Sequence, residues 1–475
     1  MSSLSRRQFC GSVAVGLAGA AVGTAQTAGS FGRILGSNGA LRVGVVGVRG
    51  RGRDHIGGLR RLADVRLTAL CDVDRDVLGS RLEKAKADGD DVEGFTDVRK
   101  LLDSGRCDAI SVATPNHTHA LIGVWAAQRG IHSYVEKPIA HDVWSGRQLV
   151  AAAKQHGVVV QTGSQCRSMT ANQEVMAFLR SGELGRIVLA RGLCYKPRGS
   201  IGKVAAPLDP PPQVDYDLWL GPAPFEKVRR RQFHYDWHWQ WHYGNGDLGN
   251  QGVHQMDLAR WAVGATAMPK QVLGVGGRFG YVDDGETPNT QVVFCDYDEA
   301  PIVFEVRGLP RAHGDKQMDR FLGTGIGVVI HCEHGYVVLT SYDKGHACDL
   351  DGKVIRKFEG GGDHYQNWVD AVRAGDASKL SAGVEIGHLS AALCDLGNAS
   401  YREGALHERE SVADRLRALP DLNEAFLRLE NHLRSNEVAL SGEWLRVGAL
   451  LQPKPDGSDR PRPAQRDEFA MPELV

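Results

Sequence analysis

The spacing of apolar and polar positions changes character once along the chain. Up to about Gln165, short β-branched runs alternate with stretches of helical period. Residues 41–48 read Leu-Arg-Val-Gly-Val-Val-Gly-Val, which suits a buried parallel strand. A helix is expected through His55, Leu59 and Leu62, and residues 65–71 alternate before stopping at Asp72. Residues 108–113 form a further strand that runs into Thr114-Pro115-Asn116-His117-Thr118-His119, and a helix follows over about 120–129. Residues 133–135 are the next strand, ending in Glu136-Lys137-Pro138. This order predicts a Rossmann-type doubly wound parallel sheet, whose ligand crevice lies at the carboxyl ends of its strands. Beyond residues 161–165, long strands at 187–195, 291–297 and 301–306 arrive without regular helices between them. They predict an α+β domain with a large open, mostly antiparallel sheet. The expected segments are therefore 1–38, a Rossmann domain at 39–165, a substrate domain at 166–451 and a Pro-rich arm at 452–475, available to a neighbouring subunit.

Composition narrows the function. Lys and Arg (56) nearly balance Asp and Glu (57), so no basic excess points to nucleic acid. Ser5-Arg6-Arg7-Gln8-Phe9 precedes a Gly/Ala/Val stretch over about 11–25, too short to span a bilayer. A twin arginine before a weakly apolar stretch with small residues near Ala25 resembles a twin-arginine export signal, which implies a periplasmic or otherwise exported protein without a membrane span. The nine cysteines form no CxxC, so neither a zinc site nor a redox pair is signalled, and disulfides stay open.

The turn after the first strand, Arg49-Gly50-Arg51-Gly52, sits where a dinucleotide fingerprint belongs. Gly47 and Gly52 fit its first and third glycines, Arg49 stands at the second, and Gly50 is displaced by one. Asp72, at the tip of the second strand, is placed to accept hydrogen bonds from ribose hydroxyls, or else to cap the next helix. A carboxylate there repels a 2′-phosphate and favours NAD over NADP, with Arg75 as a nearby counterweight. Thr114-Pro115 and Glu136-Lys137 occupy strand ends at the crevice. Together, the glycine turn, the Asp-tipped strand, Thr-Pro-Asn-His and Glu-Lys-Pro resemble the Gfo/Idh/MocA oxidoreductases over about residues 41–451. The resemblance implies cofactor contacts at Gly47, Arg49, Gly50, Arg51, Gly52, Asp72, Thr114, Pro115, Asn116, His119, Glu136, Lys137 and Gln165. It also implies that Lys137 lies between nicotinamide and substrate and takes part in catalysis.

In the second domain, residues 234–243 alternate aromatic and polar side chains. If extended, they place Trp237, Trp239 and Trp241 on one face, for stacking on a sugar ring or equally for core or interface packing. His234, His238 and His242 have a spacing that would suit a metal on a helix, but an extended run argues against it and no metal is expected. Residues 252–261 read as a helix with His254, Asp257 and Trp261 on one face. The family carries a catalytic histidine here, which His254 matches. Inositol dehydrogenase-like members carry an aspartate four residues earlier, where this chain has Asn250; Asp247 or Asp257 is then the candidate for the missing charge. Candidate substrate contacts are Tyr195, Arg198, Trp239, Trp241, Asn250, His254 and Asp257. Residues 207–224 read as a long irregular loop, and 363–375 as a helix.

The leading expectation is an NAD(H)-dependent oxidoreductase of a sugar, polyol or sugar derivative with tightly bound cofactor, forming a homodimer or homotetramer. A redox-neutral NAD-dependent glycoside hydrolase or lyase is the first alternative, and a non-catalytic sugar-binding protein the second.

Overall fold

Residues 39–475 are described by the computed structural model; the twin-arginine motif and Cys10 lie outside the described residues. Six strands carry the first domain: β1 (Leu41–Val46), β2 (Val65–Cys71), β3 (Glu93–Phe95), β4 (Ala109–Val112), β5 (His132–Val135) and β6 (Val160–Thr162). They pair in parallel in the order β3-β2-β1-β4-β5-β6. Val43, Val45 and Val46 of β1 are all buried, because helices cover both faces of a parallel sheet. The helices Arg75–Ala87 and Val143–His156 begin where Asp74 and Asp142 accept hydrogen bonds from first-turn amides. Asp74, not Asp72, is thus the cap after β2.

The second domain adds β7 (Ile187–Tyr195), β8 (Gln271–Gly277), β9 (Thr290–Asp296), β10 (Ile302–Arg307), β11 (Ile326–Cys332), β12 (Gly335–Leu339), β13 (Lys344–Asp349), β14 (Val354–Glu359), β15 (Ala405–His407) and β16 (Leu445–Val447). Their order is β14-β13-β12-β11-β7-β10-β9-β8-β16-β15, with β7 and β10 the parallel pair. Strand parity sorts β7: Ala190 and Cys194 face the helices Gly252–Val263 and Val384–Glu403, while Leu189, Leu193 and Tyr195 face away. The far face is not wholly open. Leu422, Phe426, Leu429 and Leu433 of the helix Pro420–Ser435 cover β8, β9 and β10.

Two later segments return to the first domain, so its core is not confined to residues 39–165. Tyr365, Trp368, Val369 and Val372 of the helix His364–Ala374 pack with Leu41, Val43 and Val45. The Pro-rich arm packs on its own chain: Phe469 and Met471 are buried with residues of the Rossmann core, and the Leu474 and Val475 amides donate to Gln148 Oε1 at 2.6 and 3.2 Å. Residues 207–224 hold a short helix, Tyr216–Leu220, capped by Asp215. All eight described cysteines are buried and unpaired. No helix among the described residues is long and apolar enough to cross a membrane.

The helix Gly252–Val263 is anchored by a buried carboxylate. Asp257 accepts from Arg167 Nε (2.8 Å) and Nη2 (2.9 Å) and from Ser390 Oγ (2.6 Å), with Arg260 at 3.7 Å. Burial alone would raise the Asp257 pKa, but Arg167 outweighs it and holds the carboxyl below its ordinary value. Asp257→Ala should therefore lower unfolding stability by about 3–5 kcal/mol in urea titrations at pH 7, because a buried guanidinium loses its counter-ion. Since the folded pKa is depressed, this contribution is complete above the unfolded value near 3.8 and disappears only as pH falls through the lower folded value.

Candidate active site

A groove of about 380 Å³ follows the carboxyl ends of β1, β2, β4 and β5 and ends against the second domain. Its glycine turn works by close approach. Gly47 has φ +78°, and a Cβ there would meet Ala113 O at 2.7 Å. A Cβ on Gly52 would meet Gly47 O at 1.7 Å, so Gly52 seats the helix Gly50–Arg60 on the turn rather than lining the groove. Arg49, Gly50 and Arg51 do line it. The helix has no side-chain cap and no acidic residue in its first turn, and nothing lies within 4 Å of a Cβ placed on Gly50. Uncapped amides beside open space fit a pyrophosphate.

Asp72 also lines the groove. It accepts from the backbone amides of Val48 (2.9 Å) and Asp74 (3.0 Å), and burial raises its pKa despite these bonds. Arg75 is turned away, donating to Pro212 O at 2.9 Å, so it does not stand beside Asp72 to receive a 2′-phosphate. Thr114, Pro115, Asn116 and His119 form the opposite wall. Asn116 is tied to Asn245 Oδ1 at 3.0 Å. His119 places one ring nitrogen 2.7 Å from Thr114 O and the other 2.7 Å from Pro138 O, joining the two strand-end motifs. Burial lowers its pKa, and a neutral ring has one N–H, so one of those contacts is a hydrogen bond at a time.

Glu136 is the hub behind the groove. Its Oε1 takes Arg51 Nε at 2.7 Å, His55 Nε2 at 3.1 Å and Gln165 Nε2 at 3.1 Å, and its Oε2 takes the Lys137 amide at 3.0 Å. Burial would raise the Glu136 pKa, but the His55 bond and the Arg51 charge hold it well below the carboxylate range. Gln165, expected at the cofactor, thus braces Glu136. Lys137 Nζ projects toward the second domain and donates to Asn250 O at 2.9 Å, with Asn250 Oδ1 at 3.5 Å. Its pKa is lowered, first by burial and then by Arg51, Lys196 and Arg198, against the opposing pull of Glu136. His254 lies within its field: burial and the Lys137 charge push the ring down to about 3, so it is neutral at neutral pH. Its Nδ1 is buried without a hydrogen-bond partner, and Tyr342 packs against the ring at 5.1 Å.

Several expected substrate contacts stand elsewhere. Tyr195 has the wrong strand parity; its hydroxyl donates to Glu305 Oε2 at 2.8 Å on the far sheet face. Asp257 is held by Arg167, and Asp247 by Arg198 (Nε to Oδ1 2.8 Å), so neither supplies a free charge beside Lys137. Arg198 stacks under Trp239 at 5.3 Å and is consumed by that pair. Residues 234–243 are not extended: Asp236–Trp239 is a 3-10 turn followed by further turns. The three tryptophans therefore diverge, Trp241 meeting Arg402 at 5.1 Å while Trp237 stacks on His238 at 3.7 Å. The histidines diverge too, His234 to Asp74, His238 to Tyr235 O and His242 to Glu226; among the described residues no group of three or more His, Cys, Asp or Glu gathers as a metal-ligand set.

Of the three tryptophans named for stacking, Trp237 lines the groove, and its wall also contains residues that the sequence reading did not single out as site residues: Tyr235 and His238 from this turn, and Trp125, Leu218 and Phe469 farther off. His238 was visible only as one of a histidine series. Burial, with Lys137 nearby, brings its pKa to about 3. Two substitutions test the cofactor end. Gly52→Ala should abolish NADH binding in fluorescence titrations, since its methyl would occupy the Gly47 carbonyl. Asp72→Ser should weaken NAD binding about tenfold and narrow the preference over NADP, consistent with loss of one or two hydrogen bonds to a charged acceptor.

Comparison with known proteins agrees with this geometry. Residues 41–164 match the model described as oxidoreductase family, NAD-binding Rossmann fold, and residues 187–274 match its C-terminal alpha/beta domain. Inositol 2-dehydrogenase 4 of Saccharopolyspora erythraea is 26% identical over 387 residues, covering 78% of this chain and 96% of that one. Levoglucosan dehydrogenase of Pseudarthrobacter phenanthrenivorans is 27% identical over 208 residues, 42% of this chain and 46% of the relative. Among solved structures, levoglucosan dehydrogenase in complex with NADH and levoglucosan superposes with TM-score 0.57 at 20% identity, over 75% of this chain and 96% of that one. The WlbA dehydrogenase of Bordetella pertussis gives TM-score 0.55 at 21% identity, over 75% of this chain and 95% of that one. With its NAD-binding Rossmann domain, glycine turn and Glu136-Lys137-Pro138 strand end, the chain matches both domain models of the Gfo/Idh/MocA oxidoreductases, over residues 41–164 and 187–274.

Proposed function

We propose that this protein is an exported NAD(H)-dependent oxidoreductase that acts on a hydroxyl of a sugar, polyol or sugar derivative, with Lys137 moving the hydroxyl proton. The carrying observation is the lysine itself: Nζ sits where the groove meets the second domain, hydrogen-bonded to neutral Asn250 and close to neutral His254. The substrate class is supported by relatives named for inositol and levoglucosan. Export rests on the Arg6-Arg7 motif.

Bound NAD supplies the two-electron oxidation of a carbinol carbon; Asp72, the uncapped amides after Arg49, and the Thr114–Asn116 wall would hold it. The chain supplies the rest. In its amine form, Lys137 takes the hydroxyl proton onto Nζ, and its lowered pKa keeps that form accessible nearer neutrality. His254 is too weak a base to compete for the proton and instead orients the hydroxyl through a ring nitrogen. Asn250 fixes Nζ by its carbonyl without adding a charge that would hold the ammonium form.

Lys137→Met should lower turnover by about 10²–10⁴-fold and leave NADH affinity within error, which separates an enzyme from a sugar binder. Asn250→Asp should raise the Lys137 pKa, because a carboxylate favours the charged form. Oxidation needs the neutral amine, so the acid limb of the pH–rate profile should move upward by about one unit. A limb that stays put would remove Lys137 as the group that titrates.

A tightly held cofactor in an exported enzyme also suits a redox-neutral cycle. There, oxidation of one hydroxyl acidifies the neighbouring C–H, the leaving group departs with that proton's loss, water adds, and both electrons return to the sugar. Loaded enzyme given a glycoside and no external NAD distinguishes the two. Sustained release of the leaving group supports the cycle, and turnover that stops after one equivalent supports net oxidation.

A further inference from the structure

One end of the groove is closed in part by the C-terminal tail, which lies outside both matched family regions. Beyond Asp72, its walls are Val98 at the start of the helix Val98–Asp103, Leu121 and Trp125 on the helix Asn116–Gln128, Leu218 from the proline-rich segment, and Phe469 from the tail. Phe469 is 2% exposed although it sits in a tail rich in Pro and charge. Its ring lies 6.3 Å from Trp125, and the Arg99 guanidinium stands over both rings at 5.0 and 6.0 Å.

The tail is fastened on both sides of that ring. Before it, Arg466 pairs with Asp217, donates to Asp217 O at 3.0 Å, and gives its backbone amide to Pro222 O at 3.2 Å. After it, Arg462 holds Met471 O at 2.9 Å, and Gln148 takes the amides of Leu474 and Val475. The tail therefore bridges the proline-rich segment and the Rossmann helix Val143–His156, with Phe469 between them.

We propose that Phe469 is a nucleotide-binding residue and that the tail straps the adenine end of NAD into the groove, making cofactor exchange slow. This rests on the cofactor reading above. Asp72 marks the ribose end, so the base lies beyond it, where Val98, Leu121, Trp125 and Phe469 line the groove and Asp97 is already paired with Arg99. Adenine is planar and uncharged and is held by aromatic faces, which Trp125 and Phe469 provide on the groove wall. Because the wall is a fastened strap and not part of either sheet, the nucleotide leaves only when the strap lifts. A cofactor carried through repeated turnovers needs that slow release.

The test measures nucleotide release, not activity. Wild-type protein is loaded with NADH, excess NAD is added as a trap, and the decay of NADH fluorescence gives the off-rate. Phe469→Ala should speed release about tenfold, in line with the loss of one aromatic–base stack, and a chain ending after Ala464 should speed it further. Phe469→Leu keeps apolar volume without a flat face and guards against misfolding; melting of the nucleotide-free protein should match wild type while release still accelerates. If Phe469→Leu and Phe469→Ala release NADH at the wild-type rate, the strap is only structural and the proposal falls. A wild-type chain that binds no NADH would instead overturn the cofactor reading beneath it, which the Asp72→Ser titration checks separately.

Discussion

A carboxylate taken out of water must be matched by donors, and Glu136 imposes that demand on the whole first domain. Its donors come from three places in the sequence: Arg51 and His55 on the glycine-turn helix, Gln165 after β6, and the Lys137 backbone. Satisfying it locks the glycine-turn helix to the strand end that carries Lys137. A buried acid left with fewer donors would cost several kcal/mol, so the geometry of the cofactor end and that of the chemical end are fixed by one group.

The same group shapes the electrostatics of Lys137. Glu136 alone would hold the lysine protonated, but its charge is largely answered by Arg51 and His55. Burial and the nearby cations Lys196 and Arg198 then prevail, and the ammonium form is disfavoured. The residues that might have reversed this are neutral or occupied. Asn250 offers an amide, and Asp247 and Asp257 face arginines. The asparagine that departs from the inositol dehydrogenase pattern thus puts a neutral amide beside Lys137, where a carboxylate would oppose the lowering of its pKa.

The second domain shows how much a sheet decides by parity. Cys194 faces the helix that carries His254, and its neighbour Tyr195 faces the opposite side, where Glu305 is shared among Arg191, Arg428 and the tyrosine hydroxyl. That buried network pins the helix Pro420–Ser435 to the sheet. The site therefore receives little directly from β7; the helix Gly246–Asn250 and the turn around Trp237 bring Asn250, Trp237 and His238 to the groove.

The parallel sheet was legible from the alternation of β-branched runs and helices, because burial on both faces leaves a continuous apolar signature. So were the glycine turn, Asp72 and the strand-end motifs, since each lies at a fixed offset from its strand. The sequence also separated the antiparallel domain by its long strands without intervening helices. Only the tertiary structure decided that Tyr195 points away, that Asp247 and Asp257 are already paired, and that residues 234–243 turn instead of extending. Those outcomes depend on partners far along the chain, which local period and spacing do not encode. The same holds for Phe469, more than 340 residues from Trp125 in sequence: a lone aromatic in a proline-rich tail carries no local sign of the groove it closes.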